Sequence, residues 1–186
     1  MHWIIEHHDV LGSTMDAAEE RAVRGAPSGV VVVAGKQTRG KGQRGRRWLA
    51  PAGTSLLMTI IARPGCDPER LTRIPELVGE YVSAAIERVT GVEPDVKLPN
   101  DLMVNDRKLA GILCHSSIEG QKVRYVLIGI GINVNIDRSD LPLPTATSLQ
   151  IETGSTWNLN LLLNGVLDEL ERCWCFAGCQ NAQAVR

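Results

Sequence analysis

Residues 38–48, TRGKGQRGRRW, combine side chains that suit the binding of phosphate or another anion. Three glycines stand among five cations in this stretch. Glycine lets the backbone approach a ligand closely, and the cations supply charge and forked hydrogen-bond donors. The order differs from a Walker A loop and from a dinucleotide-binding fingerprint, because the stretch continues into APAGTS rather than into a helix. The residues therefore predict a different kind of phosphate-binding loop, and a flexible solvated turn is the alternative.

Lys108 is a second candidate, because it is a lone cation at the start of the apolar run LAGIL. An unpaired buried ammonium is strongly disfavoured, so this lysine pairs with an anion or reaches water. An anionic ligand satisfies the first condition, and a lysine that guards an exposed edge strand satisfies the second. Asn100 and Asp101, which follow Pro99, predict a turn held by side-chain bonds to its own backbone.

A third candidate is IGIGINVN, residues 128–135, where Gly129 and Gly131 interrupt a β-branched run. Glycine weakens a strand unless something has to approach its backbone closely. Asn133 then places an amide near the same position, able to donate and accept hydrogen bonds as a purine edge requires. The alternative is a β-bulge followed by an ordinary strand end.

The charge balance argues against a nucleic-acid-binding domain. Lys and Arg number 20 and Asp and Glu number 21, for a net charge of -1, whereas nonspecific DNA binding usually requires a cationic face. No apolar stretch is long enough to span a membrane, and the N-terminus lacks the pattern of a signal peptide. We therefore expect a cytoplasmic protein that has neither DNA nor a membrane as a partner.

The five cysteines indicate reduced thiols rather than a disulfide framework, because their number is odd and their spacing is irregular. Cys173, Cys175 and Cys179 form C-x-C-x3-C, but no fourth zinc ligand is obvious nearby. We expect structural or incidental cysteines.

The pattern of apolar residues predicts helices packed against a mixed, mostly antiparallel sheet. Continuous apolar runs at 29–36 and 54–62 are typical of strands buried on both faces. Residues 93–135 consist of short β-rich runs separated by tight-turn sequences, which favours antiparallel strands. The other expected elements are an edge strand at 2–10, a helix within 12–25 that Ser13 or Thr14 caps and Gly25 ends, a helix at 71–90 with Pro75 in its first turn and Gly91 at its end, and a helix near 158–174. Together they predict one α+β domain over residues 1–186.

Four motifs occur in one order along the chain: GSTMD, AGKQTRGKGQRGRRW, VKLPNDLMVNDRKLAGIL and GIGINVN. Together they resemble the catalytic domain of bacterial biotin protein ligases, over roughly residues 1–170. The resemblance implies an α+β fold similar to class II aminoacyl-tRNA synthetases. It also implies an enzyme that uses ATP and Mg2+ to convert biotin into biotinyl-5′-AMP and pyrophosphate. In a second step the biotin is transferred to a lysine of a biotin carboxyl carrier protein.

The resemblance also suggests how the chain is organised. It begins directly at this domain, without a preceding helix-turn-helix, and it stops without the small C-terminal β domain that many relatives carry. We therefore expect a single catalytic domain that does not repress DNA. Exposed strands at a sheet edge also allow a homodimer, which the sequence leaves open.

The resemblance assigns roles to individual residues. Lys108 and Arg46 are implied as catalytic residues, with Lys108 reaching the biotin carboxylate and the α-phosphate. The segment from Gly40 to Arg46 is expected to close over the adenylate, and Asp101 is expected to help hold Mg2+. The implied biotin-binding residues are Ser13, Thr14, Met15, Gln37, Gly40, Lys41, Gly42, Gln43, Lys108 and Gly111. The implied residues for ATP or the adenylate are Lys41, Gln43, Arg46, Trp48, Asn100, Lys108 and Asn133.

Three positions depart from the family's pattern. Gln43 stands where the family usually has arginine in G-R-G-R, Leu98 replaces the tryptophan of K-W-P-N-D, and His115 stands where glutamate is common. Loss of one guanidinium predicts looser retention of the adenylate, by about 1–2 kcal/mol. Two alternatives stay open: a protein of the same fold that binds biotin or its adenylate without transferring it, and a ligase for another carboxylate such as lipoate.

Overall fold

The computed structural model describes residues 2–65 and 68–172, which form one seven-stranded sheet with helices on both faces. The strands are β1 (Ile4–Leu11), β2 (Val30–Gln37), β3 (Ser55–Ala62), β4 (Asp95–Lys97), β5 (Asp101–Val104), β6 (Arg107–Glu119) and β7 (Lys122–Asn133). The helices are α1 (Thr14–Val23), α2 (Ile74–Thr90), α3 (Leu149–Thr153) and α4 (Leu159–Arg172).

The strand order across the sheet is β1-β2-β3-β7-β6-β5-β4. β1 and β2 pair in parallel, and the other neighbouring strands pair antiparallel. The predicted α+β fold with a mixed, mostly antiparallel sheet is therefore confirmed, as is the position of the first strand at an edge.

The central strands are apolar because helices cover both of their faces. In β2, Val31 and Val33 belong to the core beneath α2 and α4, whereas Val30 and Val32 belong to the core beneath α1. All eight residues of β3 are buried. The continuous apolar runs, which lack the alternation of a half-exposed strand, follow from this burial on both faces.

Helix ends follow the expected capping residues, with one correction. Ser13 caps α1, because its hydroxyl accepts a hydrogen bond from the Met15 amide at 3.2 Å. Gly91 ends α2 in the left-handed region, at φ 74°. The helix predicted from residue 71 begins only at Ile74, after a 3-10 turn at Pro68–Arg73. This later start places Pro75 in the first turn, where its missing N–H costs least.

Two of the tight turns expected within residues 93–135 have a left-handed backbone. Asn105 and Asp106 join β5 to β6 with φ of 49° and 59°, and Gly120 joins β6 to β7 with φ of 60°. Asparagine, aspartate and glycine tolerate this left-handed region better than other residues. The short helix α3 did not emerge from the sequence pattern.

Cys114 is a free thiol in the described part of the chain. Burial against the core raises the pKa of this thiol to about 12, so that it stays protonated and unreactive at neutral pH. Cys66 and the run of Cys173, Cys175 and Cys179 lie outside the described residues. Within the described ranges, no helix is both long and apolar enough to cross a membrane.

Arg63, directly after β3, fastens the C-terminal end of α1 to the sheet. Its guanidinium donates to the carbonyls of Ala22 and Ala26 at 2.7 and 2.8 Å and to that of Arg124 at 2.9 Å. It also lies 5.8 Å from the ring centroid of Tyr125. The last carbonyls of a helix lack partners within the helix, so a cation at this point satisfies them and complements the helix dipole.

Replacing Arg63 with methionine should lower the free energy of unfolding by about 2 kcal/mol, because the carbonyls lose charged donors while the apolar bulk is kept. Urea unfolding measures the change. Arg124→Met is the matched control: its exposed side chain pairs only with Glu119 in the described structure, and such a pair contributes less than about 1 kcal/mol. Equal losses in the two variants would contradict the prediction.

Candidate active site

A pocket with a cavity volume of about 50 Å3 lies where the start of α1, the loop 38–48 and the middle of β6 and β7 meet. The structure brings ten of the residues singled out in the sequence to this one pocket: Thr14, Met15, Gln37, Lys41, Gly42, Gln43, Trp48, Asn100, Lys108 and Gly111.

Other residues of the pocket had no signal as binding residues in the sequence. For Gly129 and Gly131 the sequence predicts only a close approach to the backbone. Four apolar residues of the strands also line the pocket, namely Met58, Ile112, Leu113 and Ile130. Of these, Met58, Ile112 and Ile130 belong to the core beneath α2 and α4. Because both faces of these strands are buried, hydrophobicity alone does not tell which residues face a ligand and which face a helix.

Glycines form the part of the sheet on which Trp48 lies. Gly111 and Gly131 are direct partners across β6 and β7. A Cβ added to Gly131 would lie 2.8 Å from Trp48 Cε2, and one added to Gly111 would lie 3.0 Å from Trp48 Cζ3. The pairing of β7 is continuous at these glycines, so the alternative of a β-bulge there is wrong. The indole Nε1 is buried and has no partner among the described residues.

The first turn of α1 is joined to the end of β2 beside the pocket. The backbone N–H of Thr14 donates to Gln37 Oε1 at 2.7 Å, and the Thr14 hydroxyl donates to the same oxygen at 3.1 Å. The buried hydroxyl of Thr59, on β3, donates to the Thr14 hydroxyl at 2.8 Å. Ser13, unlike Thr14, does not line the pocket, because its buried side chain caps α1.

Lys108 lies on an interior strand, between β5 and β7, so it is not the guard of an edge strand. Its Nζ lies 2.6 Å from Asp101 Oδ1 and 5.6 Å from the ring centroid of Trp48. The lysine is thus paired with a carboxylate and still faces the pocket. Asn100, in the same turn, lines the pocket and donates from Nδ2 to the Ile112 carbonyl at 3.0 Å.

Asp101 alone does not make a magnesium site. One of its oxygens is bonded to Lys108, and the described residues contain no group of three or more His, Cys, Asp or Glu side chains that could hold a metal. Proteins commonly hold Mg2+ by one or two carboxylates together with substrate phosphates. A Mg2+ ion at this pocket would therefore arrive with a nucleotide, and a role for Asp101 in holding it stays a prediction.

The loop 38–48 folds back on itself over the pocket. Lys41 and Arg47 form an isolated β-bridge, and the Trp48 amide donates to the Gly40 carbonyl at 3.0 Å. Gly40 has no room for a side chain, because an added Cβ would collide with the Trp48 carbonyl. The Lys41 ammonium pairs with Asp16 in the first turn of α1. This ion pair joins the loop to the helix that forms the opposite rim.

Two predicted adenylate-binding residues lie away from the pocket lining. Arg46 is exposed, and its Nε approaches the Gln43 carbonyl at 3.4 Å. Asn133 is buried and donates from Nδ2 to the Thr147 carbonyl at 2.9 Å. Their contacts with a nucleotide stay predictions.

The α+β fold brings two lysines and a fixed amide together in one pocket, an arrangement that suits a small anionic ligand. Residues 8–133 match the model of the biotin/lipoate A/B protein ligase family. The chain belongs to this family.

Curated relatives carry ligase names. The chain is 40% identical over 124 residues to the bifunctional ligase/repressor BirA of Bacillus subtilis, which covers 67% of the chain and 38% of the relative. It is 34% identical over 120 residues to the biotin–[acetyl-CoA-carboxylase] ligase of Paracoccus denitrificans, covering 62% of the chain and 50% of the relative. The matched part thus spans between about a third and a half of these relatives.

Solved structures confirm the fold. The biotin protein ligase of Aquifex aeolicus in complex with biotin and ATP superposes with a TM-score of 0.74 at 28% identity, over 91% of this chain and 69% of that one. The enzyme of Leishmania major in complex with biotinyl-5-AMP gives a TM-score of 0.72 at 26% identity, over 90% of this chain and 73% of that one.

Gly131→Ala should loosen the loop 38–48, because its methyl group collides with the Trp48 ring. Overpacking of this kind costs about 1–3 kcal/mol, so we expect tryptic cleavage within the loop to become about tenfold faster. Mass spectrometry of timed digests measures it. Gly129→Ala is the matched control on the same strand, because its methyl meets the flexible end of Met15, outside the loop. Unchanged cleavage of the Gly131 variant would contradict the contact.

Proposed function

We propose that this protein is an ATP-dependent biotin–protein ligase that forms biotinyl-5′-AMP and transfers the biotin to a lysine of a biotin carboxyl carrier protein. The proposal depends on one observation: the fixed Gln37 amide and the Lys108 ammonium line the same pocket. An amide suits the neutral head of biotin, and an ammonium suits its carboxylate. Membership of the family and the ligase names of the relatives support it.

Lys108 acts on the main obstacle to the first step, which is the repulsion between a carboxylate and a triphosphate. In that step a carboxylate oxygen attacks the α-phosphorus, a new P–O bond forms, and the bond to the β-phosphate breaks to release pyrophosphate. Negative charge increases around the α-phosphate, where a positioned ammonium lowers the barrier. The contact with Asp101 holds this ammonium at the pocket.

The second step transfers the acyl group to the carrier. The lysine amine attacks the acyl carbon of the mixed anhydride, an amide bond forms, AMP leaves, and the amine loses a proton. Mg2+ supplied with ATP would neutralise phosphate oxygens. We propose a carrier protein as the partner, the cytoplasm as the location and no DNA partner; a homodimer stays a prediction.

Gln43 favours one other function, that of a protein that binds biotin or its adenylate without transfer. This side chain lines the pocket without bringing a charge. The family also includes lipoate ligases by name, so lipoate is a second substrate to test. Calorimetry with biotin and with lipoic acid separates a lipoate ligase from a biotin ligase at the binding step, whereas the non-transferring alternative is tested by transfer to a carrier.

The full chain, incubated with biotin, ATP, Mg2+ and a carrier domain, should release pyrophosphate in a biotin-dependent manner and modify one carrier lysine. Intact mass measurement follows the modification, and a carrier with that lysine changed to arginine is the control. Biotin-dependent pyrophosphate release without modification of the carrier would contradict transfer and would also count against a protein that only binds. The absence of both pyrophosphate release and carrier modification would refute the proposal.

Lys108→Ala should lower the rate of adenylate formation by about 100-fold to 1000-fold, with a smaller effect on biotin affinity, because the ammonium acts where charge develops. Biotin-dependent pyrophosphate release measures the rate. The matched control is Lys122→Ala, an exposed lysine at the far end of the β6–β7 hairpin, which should keep the normal rate. A normal rate in the Lys108 variant would show that the lysine is only structural.

A further inference from the structure

A chain of three side chains runs from the sheet into the pocket. Thr59 on β3 is fully buried, and its hydroxyl lies 2.8 Å from that of Thr14. The Thr14 hydroxyl lies 3.1 Å from Gln37 Oε1. Thr14 and Gln37 line the pocket, whereas Thr59 does not reach it. Thr59 therefore contacts the site only through another residue.

The backbone N–H of Thr14 sets the direction of both hydrogen bonds that connect Thr59, Thr14 and Gln37. The Thr14 N–H, which is always a donor, points at the Gln37 amide at 2.7 Å, so the atom that it meets must be the oxygen. An amide oxygen carries no hydrogen, so the Thr14 hydroxyl must donate to it. That hydroxyl has one hydrogen, and so it must accept from Thr59.

The free positions that remain have a defined polarity. The oxygen of Gln37 accepts two bonds, and its Nε2 donates to no described residue, so both Nε2 donors are left. The Thr14 hydroxyl has used its hydrogen and one of its two lone pairs, which leaves one acceptor position. The end of the pocket near α1 thus presents an acceptor and donors side by side.

We propose that Thr59 is a positioning residue: its hydroxyl makes Thr14 an acceptor and so orients Thr14 and Gln37 toward a cyclic urea. In a cyclic urea an N–H donor stands next to a carbonyl acceptor, which complements this pair. The head of biotin is a cyclic urea, whereas lipoic acid has none. The inference rests on the proposed biotin ligase and adds to its site a residue that does not touch the ligand.

A packing role alone does not account for the hydroxyl of Thr59. A buried hydroxyl is costly unless it is hydrogen-bonded, and valine has the same shape and a high strand propensity. The neighbours of Thr59 on β3, Met58 and Ile60, are apolar and buried. A threonine at this position is therefore explained by its bond to Thr14.

Thr59→Val in the full chain tests the proposal, because it removes the hydroxyl and keeps the shape. We expect the dissociation constant for biotin, measured by calorimetry without ATP, to rise about tenfold. Thr59→Ser restores a hydroxyl and should stay within about threefold of the normal value. Thermal unfolding of each variant checks that it is folded.

A double-mutant cycle with Thr14→Val distinguishes positioning from a general structural effect. If Thr59 acts through Thr14, adding Thr59→Val to Thr14→Val should leave the biotin affinity of the single Thr14 variant unchanged. An equal loss in both backgrounds, or normal binding by Thr59→Val, would overturn the inference. If the unmutated chain binds and transfers biotin in either case, the proposed function stands. If the unmutated chain fails to bind biotin, both proposals fall.

Discussion

The parallel pairing of β1 with β2 is the constraint on which the pocket depends. Two consecutive strands that pair in parallel require a crossover that returns the chain to the end of the sheet where the first strand began, and α1 lies in this crossover. This return places the first turn of α1 beside the last residue of β2. The bonds between Thr14 and Gln37 follow from that placement, and so does the ion pair between Asp16 and Lys41. An antiparallel hairpin at the same edge would have separated these residues.

Most of the fold and much of the pocket were predictable, because they depend on local patterns. Apolar runs located the central strands, and Ser13, Gly91 and the turn at Asn105 marked ends and turns. Lys108 was predictable because a cation at the start of an apolar strand needs an anionic partner or access to water. These signals come from the chemistry of single residues in their immediate surroundings.

What was missed depends on contacts between distant elements. In the sequence Thr59 resembles an ordinary strand residue, and its contact with Thr14 depends on the placement of α1. Asp16 resembles an acidic residue that favours the start of a helix. Neither shows its partner in the sequence. Helix α3 was missed because five residues show no helical period. Its caps, Ser148 and Gly154, are clear only in the structure.

The two lysines of the pocket each have a carboxylate partner within the protein, Asp16 for Lys41 and Asp101 for Lys108. The charges of these four groups therefore balance locally, and any anion that enters has to compete with a neighbour already in contact. A small ion such as inorganic phosphate brings little besides charge to this competition. A ligand that also contacts the apolar strand residues of the pocket and bonds the Gln37 amide has an advantage over such an ion. The two ion pairs therefore favour a ligand that makes further contacts in the pocket over an ion that brings only charge.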